Sequence, residues 1–210
     1  MKDLWDDFWL KRNRPLTQKE ETAFRNNFYA IYALILNYFG IYKRQYVPMS
    51  LEIGCGRATI SDYLLKFGFD TWTMDRISRI ENSHAFFYGD AWEKYWNIEY
   101  DFDLIVSYGL LEHFTYEDQC RIVNNCDKYL SSDGIQIHYV VPRKWTNIFE
   151  DRSVYRDDCL LLRNMHDPIW TYPALGKRWI ANKWIGKGFI FSLGKQYEDT
   201  GPRYRKIIQH

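Results

Sequence analysis

The stretch SLEIGCGRATIS, residues 50–61, sets an acid, Glu52, just upstream of two glycines that flank one cysteine. Gly54 and Gly56 allow a tight turn and let a ligand approach the backbone closely. The helix-like residues behind them offer unpaired N–H groups at a helix N-terminus. A glycine turn of this kind also occurs in dinucleotide-binding folds, so its spacing alone is a weak pointer. Glu52 narrows the choice, because a carboxylate at the turn favours a ligand with positive charge and repels a pyrophosphate.

The elements that must hold this turn alternate. Short apolar runs at 49–53, 71–74, 85–88, 103–107 and 135–141 read as strands. Helical segments at 59–67, a short piece near Ser78, 91–96 and 116–130 lie between them. Strands alternating with helices predict a parallel sheet covered on both faces, with ligands at the carboxyl ends of the strands. Upstream, Thr17 and Glu20 form a capping-box pattern, and Phe24, Phe28, Ile31, Ile35 and Tyr38 recur at helical spacing. Residues 142–173 are irregular and aromatic. A helix is expected over 174–185, followed by the runs FIFSLGKQYE and YRKIIQ as an antiparallel pair across DTGP.

Glu52-Ile-Gly54-Cys55-Gly56-Arg-Ala58 resembles the first motif of the class I S-adenosylmethionine-dependent methyltransferases, with Ala where a third Gly is usual. The later motifs are similar in order and spacing: TWTMDRI ending the second strand, YGDAWE after the third, FDLIVSYGLLEHF around the fourth, and LSSDGIQIHYVVP into the fifth. The resemblance implies an α/β, Rossmann-like three-layer sandwich. Its sheet would be mostly parallel and seven-stranded, with one antiparallel strand at its end, plus an N-terminal helical cap. The whole of 1–210 is then one methyltransferase domain: cap 1–40, cofactor-binding core 48–142, aromatic insert 142–173, and last helix with antiparallel pair 174–210. It also implies S-adenosylmethionine as cofactor, with S-adenosylhomocysteine as product. Asp75, with Arg76 beside it, would receive the ribose hydroxyls. Asp90, after Gly89, would accept from the adenine amino group, and Ala91 would donate a backbone N–H. Ser107 and Tyr108 would line the methyl-donor end.

Methyl transfer from a sulfonium needs in-line geometry more than covalent help, and an acceptor that starts protonated can call on a general base. His113, just after the fourth strand, is the first candidate for that base; packing beneath the cofactor is the alternative. Tyr108 either contacts the sulfonium through its ring or hydroxyl or is an ordinary loop aromatic. Some relatives carry a metal-binding E-x-x-E-H; here Glu112 and His113 match, but Gly109 replaces the first acid, and no catalytic metal is expected. The loop also lacks the Asn/Asp-Pro-Pro-aromatic signature of many nucleic-acid and glutamine methyltransferases.

Acceptor recognition falls to the parts outside the matching core. Trp5, Trp9, Trp145, Tyr155 and Trp170 are pocket candidates, and each could equally anchor its segment to the core. Aromatics at 19% of the chain agree with either role. A net charge of +1 removes any global pull toward nucleic acid or anionic membrane. Lys177, Arg178, Lys183 and Lys187, interleaved with Trp179 and Trp184, read as a solvated basic helix side, with RNA or membrane contact as the alternative. Four cysteines without zinc-ligand spacing and an N-terminus without a signal-peptide core point to a reducing, cytoplasmic setting. The leading reading is a methyltransferase for a small-molecule acceptor. One alternative is a methyltransferase of protein or RNA; the other is a non-catalytic module that binds the cofactor or its product.

Overall fold

The computed structural model describes residues 16–39, 46–76, 84–114, 116–140, 178–185 and 188–194. Helix α1 (Gln18–Phe39) begins at the predicted capping box: the Thr17 N–H donates to Glu20 Oε2 at 2.7 Å, and the Glu20 N–H returns to Thr17 Oγ1 at 3.3 Å. Its apolar stripe buries Phe28, Ile31 and Ile35. The strands are β1 (Met49–Ile53), β2 (Asp70–Asp75), β3 (Ala85–Tyr88), β4 (Phe102–Tyr108), β5 (Leu130–Val140), β6 (Arg178–Ile185) and β7 (Gly188–Gly194). Helices α2 (Thr59–Lys66) and α3 (Tyr116–Lys128), with a short 3-10 turn at Leu111–His113, complete the described elements.

The strands pair in the order β3-β2-β1-β4-β5-β7-β6. β1 to β5 run parallel, while β7 is antiparallel to both β5 and β6. Alternation of side chains along each strand divides the core in two. Leu51, Ile53, Ile105 and Val140 pack with Ile122, Val123 and Cys126 of α3. Leu104, Val106, Ile135, Ile137 and Tyr139 pack with Phe28 and Ile31 of α1 and with Ile60 and Leu64 of α2. The result is a three-layer α/β, Rossmann-like sandwich. Chain order reverses between β1 and β4, the switch point beside which open α/β sheets bind ligands, outside the carboxyl ends of the strands.

Three local expectations are corrected. The helix expected over 174–185 is strand β6, and it pairs with β7 from Ile185↔Gly188 outward. Only Gly186 and Lys187 separate the two strands in sequence, and a Gly-X pair is a two-residue hairpin signal that outranks helical spacing. The antiparallel strand β7 therefore lies inside the sheet, between β5 and β6, and not at its end. Residues 91–96 form a turn rather than a helix, closed by the Glu93 N–H to the Asp90 carbonyl at 3.1 Å. The piece near Ser78, the insert 142–173 and the run YRKIIQ lie outside the described residues.

Candidate active site

The glycine turn caps β1. Gly54, Gly56 and Ala58 all hold left-handed backbone, with φ of 60°, 48° and 53°. Ala58 thus occupies the conformation that a third glycine would adopt without strain. A Cβ on Gly54 would stand 2.4 Å from Leu110 Cδ1, so the loop after β4 rests directly on the turn.

Glu52 is buried on the α1/α2 side of the sheet, because neighbours Leu51 and Ile53 point to the opposite face. Its Oε2 accepts from the Ser61 N–H at 2.8 Å and from Ser61 Oγ at 2.7 Å. The N-cap residue of α2 is Ala58, which has no capping side chain, so a strand carboxylate caps the helix instead. Burial pushes Glu52 up to about 7, and the Ser61 hydrogen bonds only partly offset it. The Glu52 carboxyl is thus engaged by α2 and buried beneath the turn.

Asp75, at the end of β2, accepts the Gly56 N–H on Oδ2 at 2.9 Å. Its carbonyl accepts the Gly89 N–H at 3.1 Å, and this bond joins the end of β2 to the residues that follow β3. The Asp90 carboxyl is shifted up by burial, a tendency that the Arg76 charge opposes and Glu93 reinforces. Ala91 is buried, and its carbonyl accepts Trp96 Nε1 at 3.2 Å. The glycine turn, Asp75, Gly89 and Asp90 therefore stand together along three adjacent strand ends. Cys55 is buried within the turn; burial first, then Glu52 and Asp75, push its thiol up and keep it protonated.

β4 sends its last residues to opposite faces. Ser107 pairs in register with His138, and Tyr108 with Tyr139. Ser107 Oγ lies 2.8 Å from His138 Nδ1, and His138 Nε2 lies 2.9 Å from Gln136 Oε1. Gln136 Nε2 donates onward to the Val123 carbonyl at 3.3 Å, so its oxygen faces His138. This assigns the Nε2–H tautomer, with Ser107 donating to Nδ1. The Ser107 hydroxyl is thereby held within the α3 face of the core. On the other face the Tyr108 and Tyr139 rings stack at 4.3 Å, and Asn27 of α1 donates to Tyr108 Oη at 2.7 Å. Burial raises the Tyr108 phenol and keeps it protonated. His113 ends the 3-10 turn; burial lowers it to about 4, a shift that Gly109 only partly opposes.

No protein-family model matches the chain, and no curated protein matches it in sequence. Solved structures do. Magnesium protoporphyrin IX methyltransferase from Synechocystis PCC 6803, with bound SAH, aligns at a TM-score of 0.62 and 11% identity over 92% of this chain and 95% of that one. A protein from Pyrococcus horikoshii OT3 aligns at 0.62 and 15% identity, over 82% of this chain and 91% of that one. The 1,6-didemethyltoxoflavin-N1-methyltransferase of Burkholderia thailandensis, with bound 1,6-didemethyltoxoflavin and S-adenosylhomocysteine, aligns at 0.59 and 14% identity, over 88% and 93% respectively. The fold is that of the class I S-adenosylmethionine-dependent methyltransferases.

At the ends of β1, β2 and β3 the side chains are hydrogen-bond acceptors. Asp75 and Asp90 are acceptors for hydroxyl and amino hydrogens, and acids beside the turn disfavour a diphosphate. Asn27, Ser61, Leu110 and Tyr139 are the site-shaping residues that sequence spacing missed. Asn27 stands 81 positions from Tyr108. Packing of α1 against the sheet brings this pair together. Trp5, Trp9, Trp145, Tyr155 and Trp170 lie outside the described residues. Among the described residues no helix is long and apolar enough to cross a membrane, and no group of His, Cys, Asp and Glu is arranged to hold a metal ion.

Proposed function

We propose that the chain is an S-adenosylmethionine-dependent methyltransferase acting on a small-molecule acceptor. The observation that supports this most directly is the Asp75 carboxylate, bonded to the Gly56 N–H at 2.9 Å and joined through Gly89 to the Asp90 turn. The ribose hydroxyls would meet Asp75 and the adenine amino group Asp90, with Ala91 donating its N–H to the base. Arg76 would stand beside this end, and Gly54 to Gly56 would follow the amino-acid portion. Structural neighbours that hold SAM or SAH add weight to the same assignment.

When bound, S-adenosylmethionine supplies a methyl group on a positively charged sulfur, already a good leaving group. The protein's part is to align an acceptor behind that methyl and exclude water. Tyr108, a protonated phenol fixed by Asn27, is suited to line this end through its ring face and hydroxyl. His113 stays neutral at pH 7, with Nδ1 buried and a hydrogen bond to the Gly109 backbone, which supports the packing alternative more than the base role. With its conjugate acid near pH 4 it is a weak base, so orientation carries more of the rate than proton removal does.

Incubation with S-adenosylmethionine labelled on the methyl, against panels of small phenols, amines and thiols, proteins and RNA, tests the proposal. Transfer to a small acceptor is expected. Transfer only to protein or RNA would replace the substrate class. Tight cofactor binding without transfer to any panel would make the chain a binding module.

A further inference from the structure

The turn that carries Asp90 is strapped to the far end of α3 by a connected set of hydrogen bonds. Trp96 Nε1 donates to the Ala91 carbonyl at 3.2 Å. The Trp96 N–H donates to Tyr129 Oη at 2.8 Å, and that hydroxyl donates back to the Trp96 carbonyl at 2.6 Å. One phenol thus satisfies both backbone groups of one residue, and the two rings stack at 4.9 Å and 13°. Asn125 Nδ2 donates to the Glu93 carbonyl, and Lys128 Nζ to the Lys94 carbonyl at 3.2 Å and to Asn125 Oδ1 at 2.9 Å. Three side chains from 125–129 therefore fix the backbone at 93, 94 and 96.

Residues 91–96 form no helix of their own, so one turn, closed by the Glu93 N–H to the Asp90 carbonyl, is all the regular structure that fixes where Asp90 and Ala91 stand. The external bonds take over that task. Trp96, itself buried, is the lever: Tyr129 holds its backbone, and its indole holds the Ala91 carbonyl. We propose that Tyr129 is a positioning residue whose hydroxyl sets the Asp90–Ala91 turn in register to recognise the 6-amino group of the cofactor's purine. The inference rests on the methyltransferase reading and adds to it a specificity device outside the first ring of contacts.

The test compares the dissociation constants of S-adenosylhomocysteine and its inosine analogue, which carries an oxygen in place of the amino group. Wild-type protein should prefer the adenine form. Tyr129→Phe keeps the stacked ring but leaves the Trp96 N–H and carbonyl without their partner. It should weaken S-adenosylhomocysteine about 5-fold or more while hardly changing the inosine analogue, so that the preference collapses. A merely structural role would lower thermal stability or weaken both ligands alike, and a preserved ratio overturns the proposal. Lys128→Met, a surface change that removes the bond to the Lys94 carbonyl, should shift the ratio the same way by a smaller factor. It decides the matter if Tyr129→Phe does not fold. Failure of the wild type to bind S-adenosylhomocysteine would overturn the methyltransferase reading, and this inference with it. Binding with no adenine preference would overturn this inference alone.

Discussion

Gly56 donates its backbone N–H to the Asp75 carboxylate across 2.9 Å, so the acid that ends the second strand and the glycine turn that ends the first form one wall. A charged acceptor on a backbone donor contributes roughly 1.5–3 kcal/mol. Asp75→Ala removes it and the expected ribose acceptor together. S-adenosylmethionine affinity should fall by about 10-fold or more in a calorimetric titration, with some loss of thermal stability. Unchanged affinity would move the nucleoside elsewhere.

Gly54→Ala confronts two obstacles. The left-handed backbone costs an alanine about 1–2 kcal/mol, and its Cβ would meet the Leu110 side chain at 2.4 Å. The variant should unfold at lower temperature. Adding Leu110→Ala should recover only the part due to the clash. Full recovery in the double variant would mean that the backbone strain is absent.

Glu52 makes stability fall as pH rises. The folded protein holds this proton up to about pH 7, whereas the unfolded chain releases it near 4.5. Stability that is present below 4.5 is therefore lost through the interval up to about 7. Glu52→Gln keeps an acceptor for Ser61 and has no proton to lose. Its advantage over wild type in urea unfolding should be small at pH 4.5 and grow to the order of 3 kcal/mol by pH 8. A constant difference across that range would show that Glu52 titrates normally.

Two imidazoles act at the acid end. Burial holds His113 near 4 and His138 near 3, against an ordinary 6.5. Stability from keeping both neutral is full above 6.5 and drains away as pH falls toward those values. His138→Gln removes one of these protons, so stability should fall less steeply below pH 6.5 than in wild type. Identical slopes would show that His138 is not held neutral.

Much of this architecture is legible in the chain. The runs at 49–53 and 85–88 match β1 and β3 residue for residue, and 71–74 and 103–107 fall inside β2 and β4. Leu104, Ile105 and Val106 of β4, all fully buried, make the unbroken apolar run of a parallel strand covered on both faces, visible without its partners. The 174–185 segment misled because its spacing suits a helix, whereas pairing with β7 decides its state; strand preference depends on context more than helix preference does. At the site, the carboxylates and glycines stood out because backbone geometry and hydrogen bonding demand their types. The role of Glu52 as a cap for α2 did not stand out, because it depends on where Ser61 lands after folding.

The central claim is most directly tested by titrating the full chain with S-adenosylmethionine and, separately, with NAD in a calorimeter. The account predicts saturable heat with S-adenosylmethionine and none with NAD, because acids beside the glycine turn tolerate a sulfonium and repel a diphosphate. Saturable binding of NAD with no response to S-adenosylmethionine would contradict it.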